Sequence, residues 1–494
     1  MSPTAVSLTT ILAIVACGAA IGFLAAAHRK MDLEQWVVGG RGFGAALLFL
    51  LMAGEMYTTF AFLGASGWAY SRGGPTLYIM AYLTLSYVVS FFILPQIWEV
   101  GRKYGMQTQS DFFGIRYGNK YLTGFVCVVG IAALVPYLQL QLTGLGIIVS
   151  VASFDSIGRI PAMAVSVALL SAFVFAGGIR AVAWVSVLKD VLMFCTVLAI
   201  GIGIPYIHFG GIGPMFAALA HSRPAHLTMP GATANLGHTW YISTVLLCAL
   251  GGYMWPNVFG ATFTAKSGDT LRRNAVVMPL YSVTLACIFF VGFSAVLIVP
   301  GLANGDLSLL TLVRKSFPPW FLGVVGGAGA LTAMVPAAIF ILTGATLFAK
   351  NLYRPVFAPT MTDNQVAKLA RVMVVVIGLI SLCLAIYSST TLVSLLLTGY
   401  AGISQFFPGV VLGLYWKRVT TTGVFAGMIA GVGTAIFLMV SQRDPWSGWS
   451  AGFLALCLNF LITTILSLLT RAKTAPSLQT GATNGASVLP LGIS

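Results

Sequence analysis

Three ionisable residues lie inside long apolar segments of this 494-residue chain. Glu55 follows Gly54 in one segment, and Lys189 and Asp190 are neighbours in another. A charge at the centre of a bilayer costs about 2.5–3.5 kcal/mol on insertion scales, so such residues are candidates for binding an ion or a solute. The alternatives are a protonated carboxyl, an ion pair that only fixes packing, or a lysine that extends to the membrane surface. We expect Glu55, Lys189 and Asp190 to act in ion coupling.

The composition places these segments in a membrane. Hydrophobic residues make up 58% of the chain and charged residues 7%, with a mean hydropathy of +0.94. A soluble domain needs far more charge than this to cover its surface. The net charge of +15 comes from basic residues spread between the apolar segments, which predicts a lipid bilayer rather than nucleic acid as the partner. The seven cysteines lie within apolar segments without CxxC spacing, so we expect no disulfide, metal or cofactor.

Thirteen segments are long enough to cross the roughly 30 Å hydrocarbon layer as helices. They lie near 6–28, 44–69, 76–100, 121–151, 161–179, 183–208, 238–259, 276–300, 320–349, 368–388, 391–415, 421–440 and 448–470, and are numbered here as spans 1 to 13. The pattern predicts an all-α transmembrane domain over 1–470 and a disordered cytoplasmic tail over 471–494.

The basic residues predict the orientation. The breaks after odd-numbered spans hold about three times as many Lys and Arg residues as the other breaks, and such residues are enriched on the cytoplasmic side. We therefore expect a multi-pass protein of the cell inner (plasma) membrane, with the N-terminus outside and the C-terminus cytoplasmic.

Two spans contain breaks, at 53–59 in span 2 and at 251–257 in span 7. Helices broken at corresponding places of inverted repeats are typical of secondary transporters, and these breaks predict repeats at about 44–208 and 238–415. Glycines that only allow close helix packing are the alternative. The residues expected to line a central solute site are Glu55, Tyr57, Thr58, Tyr137, Gln141, Trp255 and Asn257. The aromatic residues among them could equally be core, and the glutamine could link helices.

Several short motifs resemble the sodium:solute symporters. They are Gly39-Gly40-Arg41, Gln109-Ser110-Asp111-Phe112, Gly177-Gly178-Ile179-Arg180, Trp255-Pro256 and Asn351-Leu352-Tyr353. The resemblance runs from about Gly39 to Arg418, and it implies a five-plus-five inverted-repeat fold, alternating access and a central solute site. The segments at 54–57 of span 2 and 335–338 of span 9 look most like bacterial monocarboxylate permeases, which carry lactate, pyruvate and related small acids.

The sequence departs from that family at the usual sodium site. The resemblance implies a site built from span 2 carbonyls and an adjacent Ser-Thr or Ser-Ser pair in span 9. The corresponding positions are Ala53 and Met56 for the carbonyls, with Thr332, Val335 and Pro336 in span 9. The pair itself falls on the last two of these, and neither has a side-chain oxygen.

Lys189 in span 6 offers a replacement for the missing sodium ion. A buried ammonium can stand in for a bound cation, and it can also release and regain a proton. We therefore expect a carrier of a small organic acid that is proton-coupled or a uniporter. A sodium-coupled symporter of an amino acid, vitamin or sugar is the alternative.

Other classes of protein fit the sequence less well. The histidines are scattered, and no paired acids or metal-ligand cluster stands at the ends of the spans, so we expect no enzyme. A membrane sensor subunit, the alternative from another class, would be expected to carry a soluble module after Arg471, where the sequence has only the short tail.

Overall fold

The computed structural model describes residues 2–26, 33–233, 235–387 and 390–470. Within these ranges the regular structure is helical, and strand-like pairing is limited to isolated bridges such as Phe43 with Ala265. The predicted tail, 471–494, lies outside the described residues. The all-α fold class predicted from the sequence is confirmed.

The membrane helices follow the predicted spans. Ten helices in the described residues are long and apolar enough to cross a bilayer, and two bent pairs bring the number to 12. The continuous spans are Pro3–Ala26 (span 1), Tyr78–Tyr104 (span 3), Lys120–Ala152 (span 4), Asp363–Tyr387 (span 10), Thr421–Val440 (span 12) and Ala451–Leu469 (span 13).

The other spans are built from successive helical pieces. They are Ala45–Met56 with Phe60–Ser71 (span 2), His238–Gly251 with Pro256–Thr262 (span 7), Gly268–Tyr281 with Val283–Ile298 (span 8), Pro319–Thr346 continuing to Phe357 (span 9), and Leu392–Ile403 with Phe407–Tyr415 (span 11). Large apolar side chains are exposed on the outer surfaces of continuous and divided spans alike, as a lipid-facing surface requires; examples are Leu24, Phe92, Leu280 and Ile436.

Spans 5 and 6, which the sequence predicts at 161–179 and 183–208, are two helices joined at a sharp kink. The chain is helical through Arg159–Phe209 except at Gly178, where φ is 55° and ψ is −160°. Glycine is required there because this φ lies in the left-handed region and because a Cβ atom would stand 2.5 Å from the Trp36 ring. Span 5 is the shorter apolar part that precedes this break, and span 6 is Gly178–Phe209.

Because consecutive spans run in opposite directions, their ends gather at two faces. We call them the N-terminal face, where span 1 begins at Pro3, and the C-terminal face, where span 13 ends at Leu469. The short helix Ser308–Ser316 lies on the N-terminal face, and the short helix Gln109–Tyr117 lies on the C-terminal face. The boundaries given above for the two repeats stay a prediction.

Asp306 is a buried acid on the N-terminal face, outside the spans. Its Oδ2 atom accepts a hydrogen bond from the backbone N–H of Leu392, 3.1 Å away, where span 11 begins. Burial raises the pKa of the Asp306 carboxyl to about 6, although the Leu392 N–H and the charge of Arg159 act in the opposite direction. The folded protein therefore binds a proton at Asp306 more readily than the unfolded chain does.

Replacing Asp306 with Asn should stabilise the protein at neutral pH. The folded-state pKa exceeds the ordinary value of 3.8, so the ionised carboxylate destabilises the fold above pH 6, by up to about 3 kcal/mol. Asn keeps the acceptor for Leu392 without the charge. We expect a higher Tm for Asp306→Asn than for the wild type at pH 7.5, with the difference vanishing by about pH 4. The exposed Asp269→Asn is the control, and a lower Tm for Asp306→Asn at every pH would contradict the account.

Candidate functional site

The first break lies in span 2. The helix ends at Met56, Tyr57 leaves the helical region with φ −98° and ψ 79°, and the helix resumes at Phe60 after a bend of 55°. Gly54 brings this segment close to span 6, because a Cβ atom there would stand 3.0 Å from the Ser186 hydroxyl. The break thus leaves backbone carbonyls without helical donors in the centre of the protein.

The second break lies in span 7. After His238–Gly251 and a short 3₁₀ turn, Trp255 is extended with φ −60° and ψ 130°, and the chain bends by 52°. Pro256 begins the next helix, a position where its missing N–H costs nothing. Both breaks therefore lie where the sequence predicts them, five spans apart.

A direct hydrogen bond joins the two breaks. The amide Nδ2 of Asn257 in span 7 donates to Glu55 Oε2 in span 2 at 2.9 Å. Both side chains are buried, and Glu55 Oε1 and Asn257 Oδ1 have no hydrogen-bond partner among the described residues. Buried polar atoms normally have a partner, so these two oxygens are free to engage a proton, a water molecule or a solute.

Lys189 lies against the break in span 2 and does not extend to either face. Its Nζ atom donates to the carbonyl oxygen of Tyr57 at 2.8 Å and forms an ion pair with Asp190 Oδ1 at 2.9 Å. The side chain is fully buried. The same Asp190 oxygen accepts from the Tyr281 hydroxyl at 3.3 Å. The flexible lysine stem allows these neighbours in sequence to pair although their Cβ atoms diverge on the helix.

The positions that correspond to the sodium site lack free side-chain oxygens. The Thr332 hydroxyl donates to Ala328 O in its own helix at 2.7 Å. Val335 and Pro336 are apolar, and Val335 packs close to Gly54. In span 2, the carbonyl of Ala53 already accepts from the Tyr57 N–H at 2.8 Å, and Met56 is the last helical residue before the break.

Aromatic rings surround the break in span 7. The Tyr137 ring centroid lies 4.6 Å from that of Trp255 and 4.1 Å from that of Phe340, and Trp255 meets Tyr400 edge-on at 5.4 Å. All four rings are buried, so the centre is enclosed by aromatic surface. The indole Nε1 of Trp255 makes no hydrogen bond of normal geometry within the described part of the chain, although it lies close enough to the Tyr400 hydroxyl to interact with it.

Gln141 and Thr58 lie beside the break in span 2. Gln141 Oε1 accepts from both the backbone N–H and the hydroxyl of Thr59, which fixes the amide orientation. Its Nε2 donor is therefore left without a partner among the residues described. Thr58 Oγ1 accepts from the Phe60 N–H at 3.2 Å, so it stabilises the turn within the break.

Tyr57 contributes its carbonyl rather than its hydroxyl to this centre. The hydroxyl lies 3.1 Å from the Tyr87 hydroxyl and 2.9 Å from Ser282 Oγ, which places the ring between spans 3 and 8. Tyr87, Tyr281, Ser282 and Tyr400 were not predicted from the sequence. Nothing in their local sequence distinguishes them from ordinary packing residues.

A small cavity adjoins Asn257. It has a volume of about 20 Å³, room for about one water molecule, and Gln107 and Thr108 also line it.

A polar cluster adjoins this cavity at the C-terminal face. Lys350 donates to Asp111 at 2.8 Å and to Gln107 at 3.0 Å, and Asn351 donates to Asp111 at 2.8 Å. Burial alone would raise the pKa of the Asp111 carboxyl, but the charge of Lys350 and these hydrogen bonds hold it below its usual value. Two of the motifs quoted above, at 109–112 and 351–353, thus meet and link spans 3, 4 and 9.

Known proteins resemble this chain over nearly its whole length. The model of the family described as "Sodium:solute symporter family" matches residues 36–431. An "Uncharacterized symporter YhjB" from Bacillus subtilis is 44% identical, over 93% of this chain and 96% of the relative. A "Monocarboxylate transport permease protein" from Rhizobium johnstonii is 27% identical, over 92% and 94%.

Solved structures confirm the fold. A Na⁺-coupled sialic acid symporter in a substrate-bound outward-open state superposes with a TM-score of 0.79 at 15% identity, covering 95% of this chain and 98% of the other. The transporter Mhp1 in a closed conformation gives a TM-score of 0.57 at 12% identity, over 91% and 98%. These likenesses, with the broken spans and the family match, show a multi-pass membrane protein with the fold of secondary solute transporters. The chain belongs to the sodium:solute symporter family.

Proposed function

We propose that this protein is a secondary transporter of a small organic anion, a monocarboxylate such as lactate or pyruvate, and that sodium does not drive it. The observation that carries the proposal is the 2.8 Å contact between Lys189 Nζ and the Tyr57 carbonyl at the break in span 2. A fixed ammonium stands against a freed carbonyl, the type of oxygen that binds a metal cation. Val335 and Pro336, where the resemblance implies hydroxyls, offer no oxygen from their side chains.

Charge balance favours the proton as the coupling ion. Lys189 and Asp190 form an ion pair of zero net charge, so an anionic solute adds one negative charge to a buried site. An uncompensated charge in low-dielectric surroundings is costly. With Glu55 ionised, the empty site has a net charge of −1. If Glu55 takes up a proton when the anion binds, the loaded site has the same net charge, and the proton and the solute cross together without moving charge. We therefore propose electroneutral transport of one proton with each monocarboxylate. If a proton gradient has no effect on uptake, the protein is a uniporter.

Two buried donors support an acidic solute. Gln141 Nε2 has no partner among the described residues, Trp255 Nε1 makes no hydrogen bond of normal geometry there, and both lie near the two breaks. A carboxylate offers acceptor oxygens for such donors, while the rings of Tyr137 and Trp255 leave an apolar wall for a short carbon body. The Rhizobium relative named as a monocarboxylate permease supports the same class of solute.

Thermal stabilisation by a panel of solutes tests the substrate class. A ligand that binds only the folded protein stabilises it by about 2.7 kcal/mol at 100 times its Kd. We expect lactate, pyruvate or a similar monocarboxylate to raise the Tm of the purified protein and to compete for uptake in proteoliposomes. Stabilisation by proline, pantothenate or a sugar, with no effect of any monocarboxylate, would instead support the alternative of a different small solute.

A further inference from the structure

A second cavity lies on the N-terminal face, away from the two breaks. Its volume is about 530 Å³, it opens to the surface, and it is lined by the ends of spans 4 and 8, the beginning of span 5 and the short helix Ser308–Ser316. We call it the basic vestibule, because Arg159, Arg314 and Lys315 line it, with Asp155 as the acid of its wall. Val151 and Leu307 contribute apolar surface.

The three cations of the vestibule are held in different ways. Arg314 Nη1 pairs with Asp155 Oδ2 at 2.9 Å, and its guanidinium lies 4.8 Å from the Phe154 ring centroid. Lys315 Nζ donates to the Ile298 carbonyl at 3.0 Å. Arg159 is exposed and makes no hydrogen bond or ion pair within the described ranges, but its charge acts on the buried Asp306 carboxyl. Asp155 thus neutralises one cation and Asp306 partly offsets another, and the lining, with three cations and one acid, keeps a net positive charge.

The turn between spans 4 and 5 holds Arg314, which belongs to the short helix Ser308–Ser316. Phe154 and Asp155 have φ values of 53° and 65°, a region that residues other than glycine rarely adopt. In this conformation the Phe154 ring and the Asp155 carboxylate both contact the Arg314 guanidinium. Strained backbone of this kind costs about 1–3 kcal/mol and is concentrated at functional sites.

The form and charge of the vestibule suit a small carboxylate. A concave wall with one sign of charge raises the local concentration of the opposite ion and its association rate, by about 10- to 1000-fold. The planar fork of an arginine matches the two oxygens of a carboxylate. Val151 and Leu307 offer contact for a short carbon chain.

We propose that the basic vestibule is a peripheral binding site for small carboxylate anions, where Arg159 and Lys315 hold the solute on the N-terminal face before it reaches the central site. The proposal rests on the proposed function for the identity of the solute. A lipid phosphate would offer similar oxyanion chemistry. The room in the cavity and its separate apolar wall favour a free carboxylate, and the experiment distinguishes the two sources.

Charge-selective labelling tests the site without requiring transport. Thr311 lines the vestibule, so Thr311→Cys is introduced into a protein whose exposed cysteines, Cys17, Cys195, Cys383 and Cys457, are replaced by serine. The rates of an anionic and a cationic methanethiosulfonate reagent are compared in phosphatidylcholine nanodiscs. We expect the ratio of the anionic to the cationic labelling rate at Thr311→Cys to be at least about tenfold higher than the same ratio at Ser441→Cys, an exposed control position. Arg159→Gln with Lys315→Gln should abolish that preference.

Protection by the ligand completes this experiment. Millimolar acetate, pyruvate or lactate should slow labelling of Thr311→Cys, and the effect should be lost in the Arg159→Gln, Lys315→Gln protein. Equal reagent rates, or no protection by any carboxylate, would overturn the proposal and leave a solvated basic surface. If the carboxylates do not slow the labelling but phosphatidylglycerol in the nanodiscs does, the proposal is overturned in favour of a lipid phosphate.

Transport kinetics provide a second readout. Arg159→Gln should raise the KM for the anion about tenfold with little change in kcat, because the residue acts before the central site is occupied. Arg443→Gln, on the same face but outside the vestibule, should leave the KM unchanged. If monocarboxylates are not transported while they still protect Thr311→Cys, the proposed function fails and the vestibule site stands. Normal monocarboxylate transport without charge-selective labelling would overturn the vestibule site and leave the proposed function standing.

Discussion

Replacing Lys189 with methionine is expected to lower the initial rate of solute uptake by at least about 100-fold. Methionine fills a similar volume but leaves the Tyr57 carbonyl without its donor and the Asp190 carboxylate without its cation. Removing one partner of a buried ion pair costs about 3–5 kcal/mol, enough to shift the balance between conformations that transport requires by two orders of magnitude or more. Initial rates of radiolabelled pyruvate or lactate uptake into proteoliposomes, at equal amounts of folded protein, provide the measurement.

The double variant separates transport from folding. Lys189→Met with Asp190→Asn removes the unpaired charge, so we expect it to recover much of the Tm that Lys189→Met loses while uptake stays absent. Recovery of uptake with the Tm would show that the pair only fixes packing. Wild-type uptake in Lys189→Met alone would exclude the ammonium from the mechanism.

Glu55→Gln is expected to remove proton-driven accumulation while solute exchange continues. The glutamine keeps an oxygen that accepts from Asn257, so the link between the two breaks persists, but it cannot take up a proton. We expect uphill accumulation under an inward proton gradient to fall at least about tenfold, since the solute then crosses without a proton and the gradient no longer drives it. Exchange of external labelled solute against unlabelled internal solute, which needs no net proton movement, should remain measurable.

Asn257→Ala is the matched variant for this prediction. It removes the hydrogen bond between the breaks and keeps the carboxyl group, so we expect a lower uptake rate with its pH dependence intact. If Glu55→Gln retains the pH dependence of the wild type, the acid is a bystander and the charge-balance argument is wrong.

The fold could be predicted from the sequence because bilayer physics constrains it strongly. Apolar length alone places most spans, and the glycines, the proline and the acid at 53–59 and 251–257 indicate both breaks. The junction of spans 5 and 6 was predicted to within a few residues of the kink at Gly178, but the geometry of the kink was not. Hydrophobicity indicates which segments lie in the bilayer. The conformation at a glycine break depends instead on a tertiary contact, here the contact between Gly178 and Trp36.

The contacts of the site could be predicted only in part. Glu55, Lys189 and Asn257 were singled out because polar groups are rare at such depth, but their partners depend on how each helix is rotated about its axis. That rotation places the Tyr57 hydroxyl against Ser282 and its carbonyl against Lys189. Asp111 and Lys350 meet across more than 200 residues of sequence, and no spacing rule connects them.

We propose that a lysine ammonium, rather than a sodium ion, occupies the break in span 2. The most direct test is uptake by the purified wild-type protein in proteoliposomes, with a sodium gradient or a proton gradient imposed separately. We expect an inward sodium gradient at constant pH to leave uptake unchanged, and an inward proton gradient in sodium-free medium to drive it. Strong stimulation by sodium at constant pH would contradict the account.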